Sequence, residues 1–266
     1  MYRILLATNE PAVLDKLNSS VQWDQLYFKP PVIVNDADTA IQTIENGRID
    51  CVAYLLPKYD AFHLNQYLTT VRPNLPVFEI RRSMQAQRRI LDDMRRVLDR
   101  LYADTSDEVF DESVVMAMLR DELVHSLLCG ELNDEKVLRG RLQMLRSHLS
   151  TDRPCVVYEY DLPQGEVYMS LRWHYGTERL ENALRSNFFG RYYEDLYYIV
   201  AVVTPRHIRI VVCQRDDQEI EPIESMTERA DKRIKRVLED VSEYLGLDMV
   251  QMKRYTIENL CALTKE

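Results

Sequence analysis

Four short apolar runs separated by stretches of helical length, all within the first 80 residues, restrict this chain more than any other feature. The runs are Tyr2–Ala7, Pro31–Val34, Asp50–Leu56 and Pro76–Ile80. Between them, Pro11–Ser19 carries Ala12, Val13 and Leu17 at helical spacing. The stretch after Asp36 carries Ala37, Ala40, Ile41 and Ile44 up to Gly47, and Phe62–Val71 is the third. Strands that alternate with helices predict βαβ units, and therefore a parallel sheet with right-handed crossovers. Asp36 is expected to cap the second helix with its side-chain oxygen, and Asp60 the third.

A long helix follows over Met84–Tyr102. Ile90, Met94, Val97 and Leu101 recur at steps of four, three and four, a seam of coiled-coil type that serves either a partner helix or the chain's own sheet. Paired arginines lie beside this seam at seven-residue intervals: Arg81 and Arg82, Arg88 and Arg89, Arg95 and Arg96. Such a stripe suits an acidic partner or a phosphate backbone. It suits equally well the charged flank of a helix–helix contact. Residues 104–111, with Asp104, Thr105, Ser106, Asp107 and Glu108, are read as an acidic linker.

After the linker come two helices, Glu112–Leu128 and, capped by Asn133, Asp134–Leu149. Then follow a strand at Cys155–Tyr160, a helix at Thr177–Phe189, two strands at Tyr197–Thr204 and Ile208–Gln214, a helix at Met226–Leu245, and a strand at Asp248–Tyr255. A short tail helix at Ile257–Thr264 completes the chain. The short Pro205-Arg206 turn predicts an antiparallel hairpin. The order βαββαβ predicts a split βαβ arrangement.

The opening Tyr2-Arg3-Ile4-Leu5-Leu6-Ala7-Thr8-Asn9-Glu10-Pro11 resembles the first strand of two-component response-regulator receivers, which ends in two adjacent acids followed by Glu-Pro. Val21-Gln22-Trp23-Asp24-Gln25-Leu26-Tyr27-Phe28 is similar to the "IDWEELGF" segment of receivers joined to a linker domain and an AraC-type DNA-binding domain. Asn46-Gly47-Arg48-Ile49-Asp50-Cys51-Val52 looks like their approach to the third strand. Leu127-Leu128-Cys129-Gly130-Glu131-Leu132 resembles the "LLxGEL" turn of the linker domain, whose fold looks like a degenerate diguanylate cyclase. Tyr244-Leu245-Gly246-Leu247 resembles that domain's step into its last strand.

The departures are chemical. A receiver holds Mg²⁺ with first-strand carboxylates and takes phosphate on an Asp that ends the third strand, because the metal needs hard oxygen ligands and neutralises the transferring group. Here the resemblance places Thr8 and Asn9 at the acids, leaves Glu10 as one carboxylate, and puts Leu55 at the acceptor. The fourth strand runs into Arg81-Arg82 rather than ending in Ser or Thr, and the fifth strand with its Lys-Pro is missing. The degenerate phosphorylation site is thus Thr8, Asn9, Glu10 and Leu55. In the second domain, Thr204-Pro205-Arg206-His207 stands where a working cyclase carries Gly-Gly-Asp/Glu-Glu-Phe. That leaves no glycine for close approach to a triphosphate and no metal-binding acids. AraC-type regulators continue into two helix-turn-helix units. The sequence leaves open whether such a reader was lost or lies outside this stretch.

The predicted architecture is α/β. A truncated flavodoxin-like, receiver-like parallel sheet occupies 1–103 and the linker 104–111. Over 112–266 a helical pair leads into an α+β ferredoxin-like, degenerate cyclase-like domain. The expected function is non-catalytic signal transduction and transcription regulation by protein–protein contact, with a protein partner or a second copy of the chain. The surface assigned to it is Arg88, Arg89, Ile90, Met94, Arg95, Arg96, Val97 and Leu101. One alternative is a regulator that contacts DNA, against which the net charge of −9 weighs. Another is a small-molecule sensor built on the ferredoxin-like domain.

No cofactor and no metal are expected. The histidines, His63, His125, His148, His174 and His207, show no i,i+4 pairing and no Cys at ligand spacing. Asp216-Asp217 and Asp92-Asp93 each lie near arginines and read as solvated charge. Tyr192, Tyr193, Tyr197 and Tyr198 read as packing aromatics. Cys51, Cys155 and Cys213 sit in apolar runs, as buried thiols of a reducing compartment do. With no run near the ~20 apolar residues of a membrane span and no secretory leader, a cytoplasmic location is expected.

Overall fold

The computed structural model describes residues 1–103 and 111–265. The chain divides into two compact units, Met1–Asp121 with Arg139–Ser147, and Glu122–Leu138 with His148–Glu266.

In the first unit, β1 (Ile4–Thr8), β2 (Val32–Val34), β3 (Cys51–Leu55) and β4 (Val77–Glu79) form one all-parallel sheet in the order β2-β1-β3-β4. Every residue of β1 is buried, as expected for a central strand covered on both faces. The helices are α1 (Pro11–Ser20), α2 (Ala37–Asn46), α3 (Lys58–Val71) and α4 (Met84–Leu101). Pro11 opens α1, where its missing N–H costs nothing. Asp36 accepts from the Thr39 N–H at 2.7 Å and caps α2 as expected. The third helix begins at Lys58, ahead of the expected Phe62. Asp60 is therefore not its cap but a first-turn acid that complements the helix dipole. Leu5, Ala7, Val52, Tyr54, Ala40, Ile44, Leu64, Leu68 and Val77 join in one core cluster of this unit.

The buried stripe of α4 is Gln87, Leu91, Met94, Leu98 and Leu101. Met94 and Leu101 therefore turn into the protein, while Ile90 and Val97 lie half-buried on the margin of the stripe. The seam is shifted one residue towards Leu91 and Leu98 at two of its four positions. The helix is tied back by Arg88, which donates to the Ser20 carbonyl (3.0 Å), and by Asp99, which accepts from the Tyr2 hydroxyl (2.7 Å).

The acidic linker lies outside the described residues except for Asp111. Asp111 accepts from the Ser113 N–H (3.0 Å) at the start of α5 (Glu112–Leu128). The helix α6 (Glu135–Met144) is shorter than its apolar pattern suggests. Asp134, not Asn133, accepts from the Lys136 N–H at 2.8 Å, and Arg146 ends the segment with a left-handed backbone (φ 54°). Within the first unit, Arg141 pairs with Asp93 (3.0 Å), and Gln143 donates to the Tyr54 hydroxyl (3.0 Å).

The second unit holds a five-stranded antiparallel sheet. Its strands are β5 (Cys155–Asp161), β6 (Tyr192–Tyr193), β7 (Leu196–Thr204), β8 (His207–Gln214) and β9 (Val250–Ile257), in the order β6-β7-β8-β5-β9. The hairpin β7–β8 is present as expected, and β8 lies between β5 and β7. The crossover carries α7 (Gly165–Tyr168), a π-helical turn over Met169–Trp173, α8 (Gly176–Ala183) and a second π-helical turn over Leu184–Phe189. The first half of this crossover has no helical pattern in the sequence. The helix α9 (Ile223–Leu245) ends on Gly246 at φ 64°, the left-handed cap that glycine supplies at least cost. A 3₁₀ turn over Leu260–Lys265 closes the described chain.

Val156, Tyr158 and Tyr160 of β5 pack with Leu180, Leu184, Ala230, Ile234 and Val237 in one core. The alternate residues Val157, Ile199, Val211 and Cys213 are buried as well, so the central strands are covered on both faces there, with Glu159 and Arg209 the charged exceptions in β5 and β8. Gly165 sits so close to the hairpin that a Cβ there would lie 1.8 Å from the Pro205 carbonyl oxygen. No helix among the described residues is long and apolar enough to cross a membrane.

Candidate functional site

In open parallel sheets, ligands gather at the C-terminal ends of the strands. Register brings Thr8 of β1 directly opposite Leu55 of β3 at that end. Thr8 is buried, and its hydroxyl oxygen accepts from the Glu10 N–H at 3.2 Å, closing the turn into α1. Asn9 is exposed, and Leu55 is half-buried with no oxygen to offer. The Glu10 carboxylate is engaged by Arg82 at 2.9 Å. Beyond β4, the Arg81 N–H donates to the buried Gln87 side chain (2.6 Å), and Lys16 donates to the Arg82 carbonyl (3.2 Å). The structure thus brings Thr8, Glu10 and Leu55 to one sheet end and adds Arg82 and Lys16. Glu10 already faces a cation there, as does Glu79 at the end of β4, which pairs with Arg81 at 3.4 Å. A divalent ion needs several hard oxygens, and both of these carboxylates are committed.

On α4, Arg88, Arg89, Arg95 and Arg96 are all exposed. Arg95 pairs with Asp99 (3.3 Å) and Arg96 with Asp93 (3.7 Å), so much of the stripe's charge is answered by acids of its own helix. At the start of α3, Tyr59 and Phe62 are 80% and 67% exposed, three residues apart and on one helix face.

A cleft of about 640 Å³ opens beside Arg48, Asp50, Arg72, Asn74 and Tyr102, at the opposite end of the same sheet. Asp50 accepts there from the Arg3 N–H (2.7 Å) and from Arg48 (3.0 Å). The Arg48 guanidinium lies 5.3 Å above the Tyr102 ring. Burial, then the Asp50 charge, pushes the Tyr102 hydroxyl up to about 12.

The second unit buries ionic groups in its interior. Glu159 of β5 is bonded by His207 (2.5 Å), Arg209 (2.8 Å) and the Tyr255 hydroxyl (3.3 Å). Glu181 of α8 is bonded by Arg185, by the Val202 N–H (3.0 Å) and by His125 Nδ1 (2.8 Å). Cys129 Sγ lies against the same imidazole, 3.5 Å from Nε2 and 4.0 Å from Nδ1. The expectation that no cysteine stands at ligand spacing from a histidine is corrected by this pair: His125 and Cys129 are four residues apart at the end of α5, hence on one face. Glu181 could not be found that way, since 52 residues and a crossover separate it from Cys129.

Among the described residues, one grouping of potential metal donors occurs, His148 with Asp216 and Asp217. Arg215 already holds Asp217 at both oxygens (2.6 and 2.5 Å) and keeps its carboxyl below the usual range. Of the four tyrosines near the hairpin, Tyr198 stacks on Phe189 inside the core, and Tyr192 and Tyr197 lie beneath Arg215.

Neither comparison of the sequence with known proteins places this chain in a family. No family model matches it, and no curated protein matches it.

Proposed function

We propose that this chain is a non-catalytic regulator that acts by protein–protein contact through a receiver-like unit unable to take up phosphate. One observation carries the reading: Thr8 faces Leu55 in register while Glu10 is held by Arg82. A phosphoryl group needs an oxygen to attack it and a cation to neutralise it. Leu55 offers no carboxylate at the acceptor position, and the Glu10 carboxylate that could help to hold Mg²⁺ is engaged by Arg82.

The strand order β2-β1-β3-β4 supports a truncated flavodoxin-like fold for the first unit. The placement of β8 between β5 and β7 supports a ferredoxin-like, degenerate cyclase-like fold for the second. Together they favour a degenerate member of the receiver–linker–AraC type of response regulator, working in the cytoplasm. The contact surface is the exposed arginine face of α4, and the partner is a second copy of the chain or another protein. Exposed Tyr59 and Phe62 supply apolar area of the kind that marks such surfaces.

Incubation with acetyl phosphate and Mg²⁺ tests the chemistry. The expected result is no acid-stable gain in mass; a Mg²⁺-dependent gain removed by hydroxylamine would overturn it. Sedimentation of the wild type and of the Arg88→Ala, Arg89→Ala, Arg95→Ala, Arg96→Ala variant tests the surface. Loss of self-association is expected. The exposed arginines also favour a second reading, contact with a DNA backbone. A gel shift abolished in the same variant, with association unchanged, would select it.

A further inference from the structure

We infer that the open edge of β9 takes up an extended, acidic segment of a partner protein as a sixth strand of the antiparallel sheet. The two sheets of this chain have four edge strands. Three are short: β2 and β4 have three residues each, and β6 has two. The fourth, β9, has eight. A short edge offers too few backbone groups to template another strand, whereas a long one presents a row of them. Among the described residues, β9 pairs with β5 and with no other strand. In an antiparallel ladder, about every second residue of β9 therefore turns its N–H and C=O away from β5. Six of its eight side chains are exposed, Val250 and Met252 among them.

Charge selects the occupant. Lys253 and Arg254 stand side by side at the middle of β9, and both are exposed. Consecutive strand residues point to opposite faces, so the edge carries one cation on each face of the sheet. Arg254 pairs with Asp231 of α9 at 2.6 Å, while Lys253 has no counter-charge among the described residues. Lys235, one turn after Asp231 and on the same helix face, adds a third exposed cation.

A second copy of the chain fits this edge poorly. Two β9 strands paired antiparallel over their full length would set Lys253 opposite Arg254, and like charges directly opposite destabilise a sheet. An acidic strand turns the same two cations into an attraction. Its backbone supplies the ladder bonds and its side chains the choice of partner. The matching segment carries Asp or Glu opposite Lys253 and Arg254, and apolar or β-branched residues opposite Val250 and Met252. This assignment does not depend on the receiver-like reading of the first unit.

The test titrates the isotopically labelled full chain with a ten-residue peptide of alternating threonine and valine that carries two glutamates at its centre. The same peptide with two central lysines is the control. Amide hydrogen exchange is read residue by residue by NMR. The acidic peptide should slow exchange at the outward N–H groups of β9 and leave β2, β4 and β6 unchanged. It should bind about tenfold more tightly than the lysine peptide, because attraction at the central pair is replaced by repulsion. Lys253→Glu removes no ion pair of the fold and should abolish most of that preference. Equal affinity for the two peptides, a preference unchanged in Lys253→Glu, protection at another strand, or no protection at millimolar peptide overturns the inference. So does protection of β9 in the free chain that grows with protein concentration, which would make a second copy the occupant.

Discussion

At the C-terminal ends of the parallel strands, Thr8 faces Leu55, Glu10 leans on Arg82 near the surface, and Glu79 at the end of β4 pairs with Arg81. Across the antiparallel sheet, Glu159 and Glu181 are each 5% exposed and are held by arginine, histidine and main-chain donors. The first region lacks the charges that such a strand end uses for chemistry. The second has taken charges inside and matched each one. Ions in the interior are tolerated only with partners, and removing one partner strands the other. A strand end that has lost its acids needs no such matching. It can keep a leucine where an acceptor would stand without a stability penalty.

The largest test of this contrast is Glu181→Ala. It leaves Arg185, 4% exposed, without its main counter-charge. Urea unfolding should show a loss of about 3–5 kcal/mol, the usual cost of breaking a buried ion pair. A loss no greater than that of a surface substitution would erase the distinction between the two regions.

Next comes Gly165→Ala. The new Cβ would meet the Pro205 carbonyl at 1.8 Å, so the β7–β8 turn must move. A cost of about 3 kcal/mol is expected in the same assay, as for overpacking a tight interior.

Asp36→Ala probes the first unit, where charge stays near the surface. Losing the cap of α2 should cost about 1 kcal/mol. The two bonds from Thr39 hold the Asp36 carboxyl below its ordinary value. A carboxyl with a lowered folded-state value stabilises above its unfolded value and loses that contribution as pH falls through the folded one. The gap between wild type and variant should therefore be full at neutral pH and close in acid.

The smallest effect belongs to Arg95→Ala and Arg96→Ala. Their pairs with Asp99 and Asp93 are largely solvent-exposed. Each should change stability by about 0.2–1 kcal/mol. A larger loss, measured at protein concentrations where the chain is monomeric, would mean that these arginines hold the fold rather than a partner.

Much of the backbone architecture is legible in the residues. Alternating apolar runs and amphipathic stretches are local signals, and they place all four parallel strands, the hairpin at Pro205-Arg206, and the Asp36 cap. Helix starts are less legible. Lys58 and Tyr59 continue α3 without adding to its buried stripe, and Asp134 outcompetes its neighbour Asn133 as a cap by the geometry of one turn. The register of α4 differs from the expected seam because Ile90–Leu91 and Val97–Leu98 are adjacent apolar pairs. Spacing cannot say which member of each pair points inward. The π-helical turns around α8 carry no sequence signal of their own.

The site separates the same way. Thr8, Asn9 and Leu55 are uncharged whatever the fold, so the residues alone determined that this strand end carries no acid at those positions. Only the tertiary structure decided that Glu10 is taken by Arg82, and that His125 meets Glu181. Those contacts span up to 72 residues, and side chains so far apart in the chain are brought together by packing, which no local pattern encodes.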